Sequence, residues 1–139
     1  MTPDMISHPK PLLSVLIFTH NSGEVLSDCL SVLRWADEVV IFDKGSNDQT
    51  LAIAQQSGAT VLIHQSNNPI LQYRYALEAT QGEWVLLVHP EEIISPQSAL
   101  RIQQVLSHTL EQNPTAKDTP EGFYLAISRS WMAQTLNHS

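Results

Sequence analysis

A doubly wound α/β domain, with a mostly parallel sheet and helices on both faces, is predicted by three features of the sequence. Short apolar runs recur along the chain, amphipathic helical patterns fall between them, and turn residues separate the two. Strands that alternate with helices favour parallel pairing, because a parallel neighbour needs a crossover and the crossover is usually a helix. With 139 residues and 42% apolar content, one domain can bury a core without disulfides or a structural metal.

The elements follow in order. Leu12 to Phe18 is an apolar run of strand length, and Val39 to Phe42, Thr60 to His64 and Trp84 to Val88 repeat it, so four buried strands are expected. Between the first two, Val25, Leu26, Cys29, Leu30 and Leu33 share one helical face. Ser46 and Gln49 have the spacing of a capping box before a short helix over Leu51 to Gln56, with Gly58 as its stop. Asn68 and Pro69 pair an N-cap with a proline at the first helical position; Ile70, Tyr73 and Leu77 keep helical spacing, and Gly82 closes the segment. Ser95 and Pro96 repeat the signal before Ala99, Ile102, Leu106 and Leu110, a helix reaching about Asn113. Pro114 to Gly122 reads as an exposed connection, Phe123 to Ile127 as a fifth strand and the remainder as one further helical turn.

Composition bounds the setting. Residues 1–11, carrying Pro3, Pro9 and Pro11, lack the features of a secretory signal and read as a loose leader, leaving residues 12–139 as one domain. No apolar run approaches the roughly 18 residues of a membrane span, and the lone Cys29 fits a buried thiol in a reducing cytoplasm. The net charge of -7, with its seven bases scattered, gives no basic footprint for nucleic acid. An acidic protein that holds a small anion must do so locally, through backbone N–H groups, one or two bases, or a metal ion.

In an open parallel sheet, ligands bind beyond the carboxyl ends of the strands. The loops there are Thr19-His20-Asn21-Ser22, Asp43 through Asp48, and His89-Pro90-Glu91-Glu92, all polar. The five glycines form neither a dinucleotide-binding turn nor a P-loop, and no nucleophile elbow or cysteine pair is present.

The run Leu13-Ser14-Val15-Leu16-Ile17-Phe18-Thr19-His20-Asn21 resembles the opening strand of family 2 glycosyltransferases. Trp35 to Thr50, which includes Asp43-Lys44-Gly45-Ser46-Asn47-Asp48, is similar to their second strand and its loop. Gln72 to Leu77 resembles the helix that carries an arginine near the donor, and Gly82 to Val88 the strand that leads to a metal-binding Asp-x-Asp. The resemblance covers roughly residues 12 to 128 and implies the GT-A nucleotide-diphospho-sugar transferase fold with an incomplete C-terminal part. It implies nucleotide-sugar binding by Thr19, Asn21, Asp43, Asp48 and Arg74, a UDP-sugar being favoured. Asp43 would accept hydrogen bonds from base or ribose, Thr19 and Asn21 would line the nucleoside pocket, and Arg74 would neutralise the diphosphate. Structural readings stand beside these: a turn for Asp43, the helix dipole for Asp48, solvation for Arg74.

The sequence departs from the family at His89-Pro90-Glu91, which replaces Asp-x-Asp. His89 and Glu91 can still ligate Mn2+ or Mg2+, manganese tolerating the imidazole better. Phe123 to Ser139 contains no Asp or Glu, so a carboxylate general base for inverting transfer would have to be Glu91, Glu92 or a partner's group. The expectation is a domain that binds a nucleotide sugar with weak or no transferase activity alone; the alternative is a noncatalytic protein-interaction or scaffold domain derived from that fold. An apolar face left by a shortened domain would suit a homodimer or a completing protein partner.

Overall fold

The computed structural model describes residues 13–65, 67–108, 115–119 and 122–128. The leader expected over residues 1–11, the end of the fourth helix near Asn113 and the last helical turn lie outside them.

Four strands make a parallel core: β1 (Leu13–Thr19), β2 (Glu38–Asp43), β3 (Thr60–Ile63) and β4 (Trp84–Leu87). The helices α1 (Gly23–Ser31), α2 (Thr50–Gln56) and α3 (Pro69–Ala79) connect them, and α4 (Pro96–His108) leads to β5 (Thr115–Thr119) and β6 (Gly122–Ser128). The sheet order is β3-β2-β1-β4-β6-β5, with β6 antiparallel to both β4 and β5.

The strand periodicity sorts the core into two layers. Val15 and Ile17 of β1, Ile41 of β2 and Trp84 and Leu86 of β4 face one side, where they meet Leu26 and Cys29 of α1, Ala54 of α2 and Ala99, Ile102 and Leu106 of α4. Leu16, Val40, Phe42 and Val85 point the other way onto α3, through Ala76 with Leu77 and Ala79. These assignments follow from successive strand side chains alternating across the sheet, and each helix burying one stripe. Three helices therefore cover one face and α3 the other. The sequence of connections reverses direction between β1 and β4, which opens a crevice at their carboxyl ends.

Several expectations are corrected. Residues 115–119, read as connection, form β5; their polar composition hides an edge strand that pairs along one side with β6. Thr60 to His64 was expected to be buried, yet β3 is the opposite edge, paired to β2, and Ile63 is 57% exposed. The helical spacing of Ile70, Tyr73 and Leu77 holds, but their burial differs: Leu77 packs on the core beside the fully buried Ala76, whereas Ile70 and Tyr73 are exposed, Tyr73 still meeting the Phe18 ring edge-on at 4.9 Å. The Ser46/Gln49 capping box does not form. Gln49 is the N-cap of α2 and makes no side-chain cap bond, because the Ser46 hydroxyl is drawn to a stronger acceptor, the Asp43 carboxylate. By contrast, Asn68 caps α3 as its sequence signals, its side chain accepting from the N–H groups of Ile70 and Leu71, and Gly58 takes a left-handed φ of 86° after α2.

Candidate functional site

The loops after β1 and β2 are laced together by side chains. Thr19 and Asp43 are register partners at the ends of the two strands. Asp43 is fully buried, and its carboxylate accepts four hydrogen bonds. Thr19 Oγ1 (2.7 Å) and Ser46 Oγ (2.6 Å) donate to Oδ1, while the N–H groups of Gly45 (2.9 Å) and Ser46 (2.7 Å) donate to Oδ2. A carboxylate offers about four acceptor positions, so the set is filled from within. Burial by itself would raise the pKa of Asp43; the hydrogen bonds from Ser46, Thr19 and Gly45 outweigh it and hold the carboxyl below its ordinary value. Gly45 supplies the φ of 101° that turns its N–H back toward the carboxylate.

A second set of bonds ties this loop to the start of α1. Asn21, in the left-handed region at φ 50°, donates its N–H to Ser46 Oγ (2.7 Å) and accepts from Asn47 N–H at Oδ1 (2.9 Å). Asp48 accepts from the Thr50 N–H (2.9 Å) and hydroxyl through Oδ1, and from the Gly23 N–H through Oδ2 (3.0 Å). Ser22 N–H closes the circuit onto Thr50 Oγ1 at 2.8 Å. These bonds, those from Thr50 first, lower the pKa of the exposed Asp48.

The laced loops form one wall of a cleft of about 570 Å³, and the turn after β4, His89-Pro90-Glu91, forms the other. In that turn His89 N–H donates to Glu92 Oε1 (2.7 Å) and His89 Nδ1 accepts from Glu91 N–H (3.2 Å). Beneath it lies the Cys29 thiol, whose Sγ is 3.8 Å from the His89 carbonyl oxygen and whose pKa is pushed up to about 11 by burial and then by Glu92.

Of the residues the sequence singles out, Thr19, Asn21, Asp48, His89 and Glu91 border this cleft, and Asp43 lies behind its wall. Arg74 is half-buried on α3 and lies outside the cleft's lining. Sequence reasoning passed over Lys44, the exposed base bordering the cleft beside Asp43. Its place in a strand-end loop was the available signal.

The donor set for a metal is thin. Among the described residues no three His, Cys, Asp or Glu side chains cluster as a metal site. His89 Nδ1 is engaged by the Glu91 N–H, which leaves Nε2 and the Glu91 carboxylate. An imidazole and a carboxylate suit manganese better than magnesium, which takes oxygen ligands, and either ion would need phosphate oxygens to complete its shell. Nor is any helix among the described residues long and apolar enough to cross a membrane.

Comparison with known proteins agrees with this architecture. The chain is 28% identical over 96 residues to an uncharacterized glycosyltransferase of Rickettsia felis, an alignment covering 68% of this chain and 34% of that one. It is 33% identical over 95 residues to a TPR repeat-containing protein of Synechococcus elongatus, covering 66% and 24%. The chain thus spans about a quarter to a third of the length of these relatives. Among solved structures, a mannosyltransferase of Pyrobaculum calidifontis in complex with GDP-Man and Mn2+ superimposes with a TM-score of 0.72 at 14% identity, covering 91% of this chain and 47% of that one. Glucosyl-3-phosphoglycerate synthase of Mycobacterium tuberculosis superimposes at 0.64 with 18% identity, covering 88% and 58%. The fold is accordingly that of the GT-A glycosyltransferases. The model of the family described as glycosyl transferase family 2 matches residues 14–113, and the chain belongs to that family.

Proposed function

We propose that this domain binds a nucleoside diphosphate sugar in the cleft between β1, β2 and β4 and serves the donor side of glycosyl transfer. The observation that carries this reading is the cleft itself. Two hydrogen-bonded loops and an acidic turn converge beyond the carboxyl ends of parallel strands, at the point where strand order reverses. That three neighbouring loops meet in one concave site on a glycosyltransferase family 2 fold supports a ligand role.

Within it, Asn21 and the backbone of the Asp43–Asp48 loop would contact the nucleoside. Thr19 and Asp43 would act from behind, fixing that backbone, since the Asp43 oxygens are already occupied by four donors. Asp48 would hold the loop against Gly23. Arg74 would contribute positive charge from α3. His89 and Glu91 would hold Mn2+ or Mg2+ together with the diphosphate; a bound cation would neutralise the leaving group. With Glu91 on the cation, Glu92 of the same turn, or a partner's group, would be left to accept a proton from an acceptor hydroxyl. A UDP-sugar and a cytoplasmic setting complete the proposal, with a second copy or another protein supplying acceptor contacts. Family membership does not favour the alternative of a noncatalytic interaction domain.

Isothermal titration with UDP, UDP-glucose and GDP-mannose, with and without Mn2+, tests the reading. Saturable binding lost in Asp43→Ala is expected, and heats no greater than dilution for every nucleotide would overturn it. Mn2+ is expected to strengthen binding, and that gain should shrink in His89→Ala and Glu91→Gln.

A further inference from the structure

Three clefts open around the strand ends, and Lys44 borders all of them. The first is the cleft described above. The second, about 490 Å³, is lined besides Lys44 by His20, Gln65, Asn67 and Gln72. The third, about 470 Å³, is the more apolar, with Phe18, Tyr73, Leu87 and Pro90 in its wall. His20 is shared by the first and second, Gln72 by the second and third, and Phe18, His89 and Pro90 by the first and third. The clefts are therefore adjacent, and Lys44 is the residue at which they meet.

The charges make that position consequential. The first cleft is bordered by Glu24, Asp48 and Glu91 against one ammonium, that of Lys44. A multiply charged anion entering this wall of carboxylates needs a local cation to offset their repulsion. The Lys44 backbone is fixed by its N–H bond to the Thr19 carbonyl (3.0 Å), and both neighbours, Asp43 and Gly45, are held in the carboxylate-centred turn. Its side chain is exposed. A flexible ammonium on an anchored stem is suited to phosphate, which it meets as a point charge.

We propose that Lys44 binds the diphosphate of the donor at the junction of the clefts. The ribose of the nucleoside would then lie against Asn21 and the Asp43–Asp48 loop, the nucleobase among the amides of Gln65, Asn67 and Gln72, and the sugar toward His89 and Glu91. This rests on the donor-binding reading above and deepens it: the cation that meets the phosphates belongs to the loop after β2, and amide side chains read the base.

The test compares nucleoside diphosphates with the bare nucleosides. Titration of the full chain with UDP, GDP, uridine and guanosine is carried out for wild type, Lys44→Gln, Lys44→Arg and, as a charge control, Arg101→Gln on the exposed side of α4. Lys44→Gln is expected to weaken the diphosphate by about tenfold or more, the size of a lost charge-assisted contact, and to leave nucleoside affinity unchanged. Lys44→Arg should stay near wild type, and Arg101→Gln should have no effect. Diphosphate affinity unaltered by Lys44→Gln, or weakened equally by Arg101→Gln, would overturn the Lys44 assignment while leaving donor binding intact. Wild type that binds none of the four overturns the donor-binding reading and this proposal with it.

Discussion

Thr19 Oγ1 donates to Asp43 Oδ1 at 2.7 Å between two buried side chains that are register partners at the ends of β1 and β2. The bond fastens the strand ends from which both loops of the cleft depart. Replacing Asp43 with Asn puts an amide NH2 where the carboxylate received two donors, leaving buried N–H or O–H groups without acceptors. The expected cost is about 1–3 kcal/mol, read as a lower urea midpoint at neutral pH.

The same carboxylate gives the fold a defined response to acid. Its folded-state pKa is depressed, so its contribution is complete above the unfolded carboxyl value, near 3.9, and is lost as pH falls through the folded pKa. Asp48 has the same sign. Stability should hold level down to about pH 5 and decline below about pH 4. Asp43→Asn should show a shallower decline over that interval in urea titrations at successive pH values. An equal slope in the two proteins would show that the group does not titrate with folding.

Asn21 separates conformational from hydrogen-bond effects. It occupies the left-handed region and its side chain accepts from Asn47 N–H. Asn21→Gly loses only the side-chain bond, whereas Asn21→Ala loses that bond and also takes on a left-handed backbone penalty of about 1–2 kcal/mol. Thermal unfolding should rank wild type above Asn21→Gly and Asn21→Gly above Asn21→Ala.

Gly82 is expected to tolerate no side chain. An added Cβ would lie 2.6 Å from Ser14 N and 2.7 Å from Ser14 Oγ, the same hydroxyl that accepts the Gly82 N–H. Because the first of these is backbone of a central strand, relief requires β1 and β4 to separate. Gly82→Ala should cost about 1–3 kcal/mol, again by urea unfolding. A neutral result would mean that the strands are not so closely apposed.

Cys29 should resist thiol reagents in the native state. With a pKa of about 11 and full burial, its thiolate fraction at pH 8 is on the order of one in a thousand. Reaction with a chromogenic disulfide should follow unfolding, accelerating in denaturant; rapid reaction of native protein would place the thiol at the surface.

How much of this was legible in the sequence depended on how far each signal is local. The strands β1, β2 and β4 are apolar on both faces, so their continuous runs stood out, and Asn68-Pro69 announced α3 through two adjacent residues. The polar strand β5 depends on a partner for its backbone and carries no apolar run to mark it. Ser46 and Gln49 had the spacing of a capping box, but the nearby Asp43 carboxylate took the hydroxyl, a competition that spacing does not encode. The strand-end loops were identified as the place for a ligand, while the convergence of three clefts on Lys44 arises only when β1, β2 and β4 are set side by side.

The division of the sheet has an evolutionary consequence. Among the described residues, those bordering the first cleft lie between Phe18 and Glu91, in the parallel part of the sheet and its loops. Substitutions within that stretch can therefore alter the cleft while the pairings of β6 with β4 and β5 stay in place, so descent can vary the one without the other.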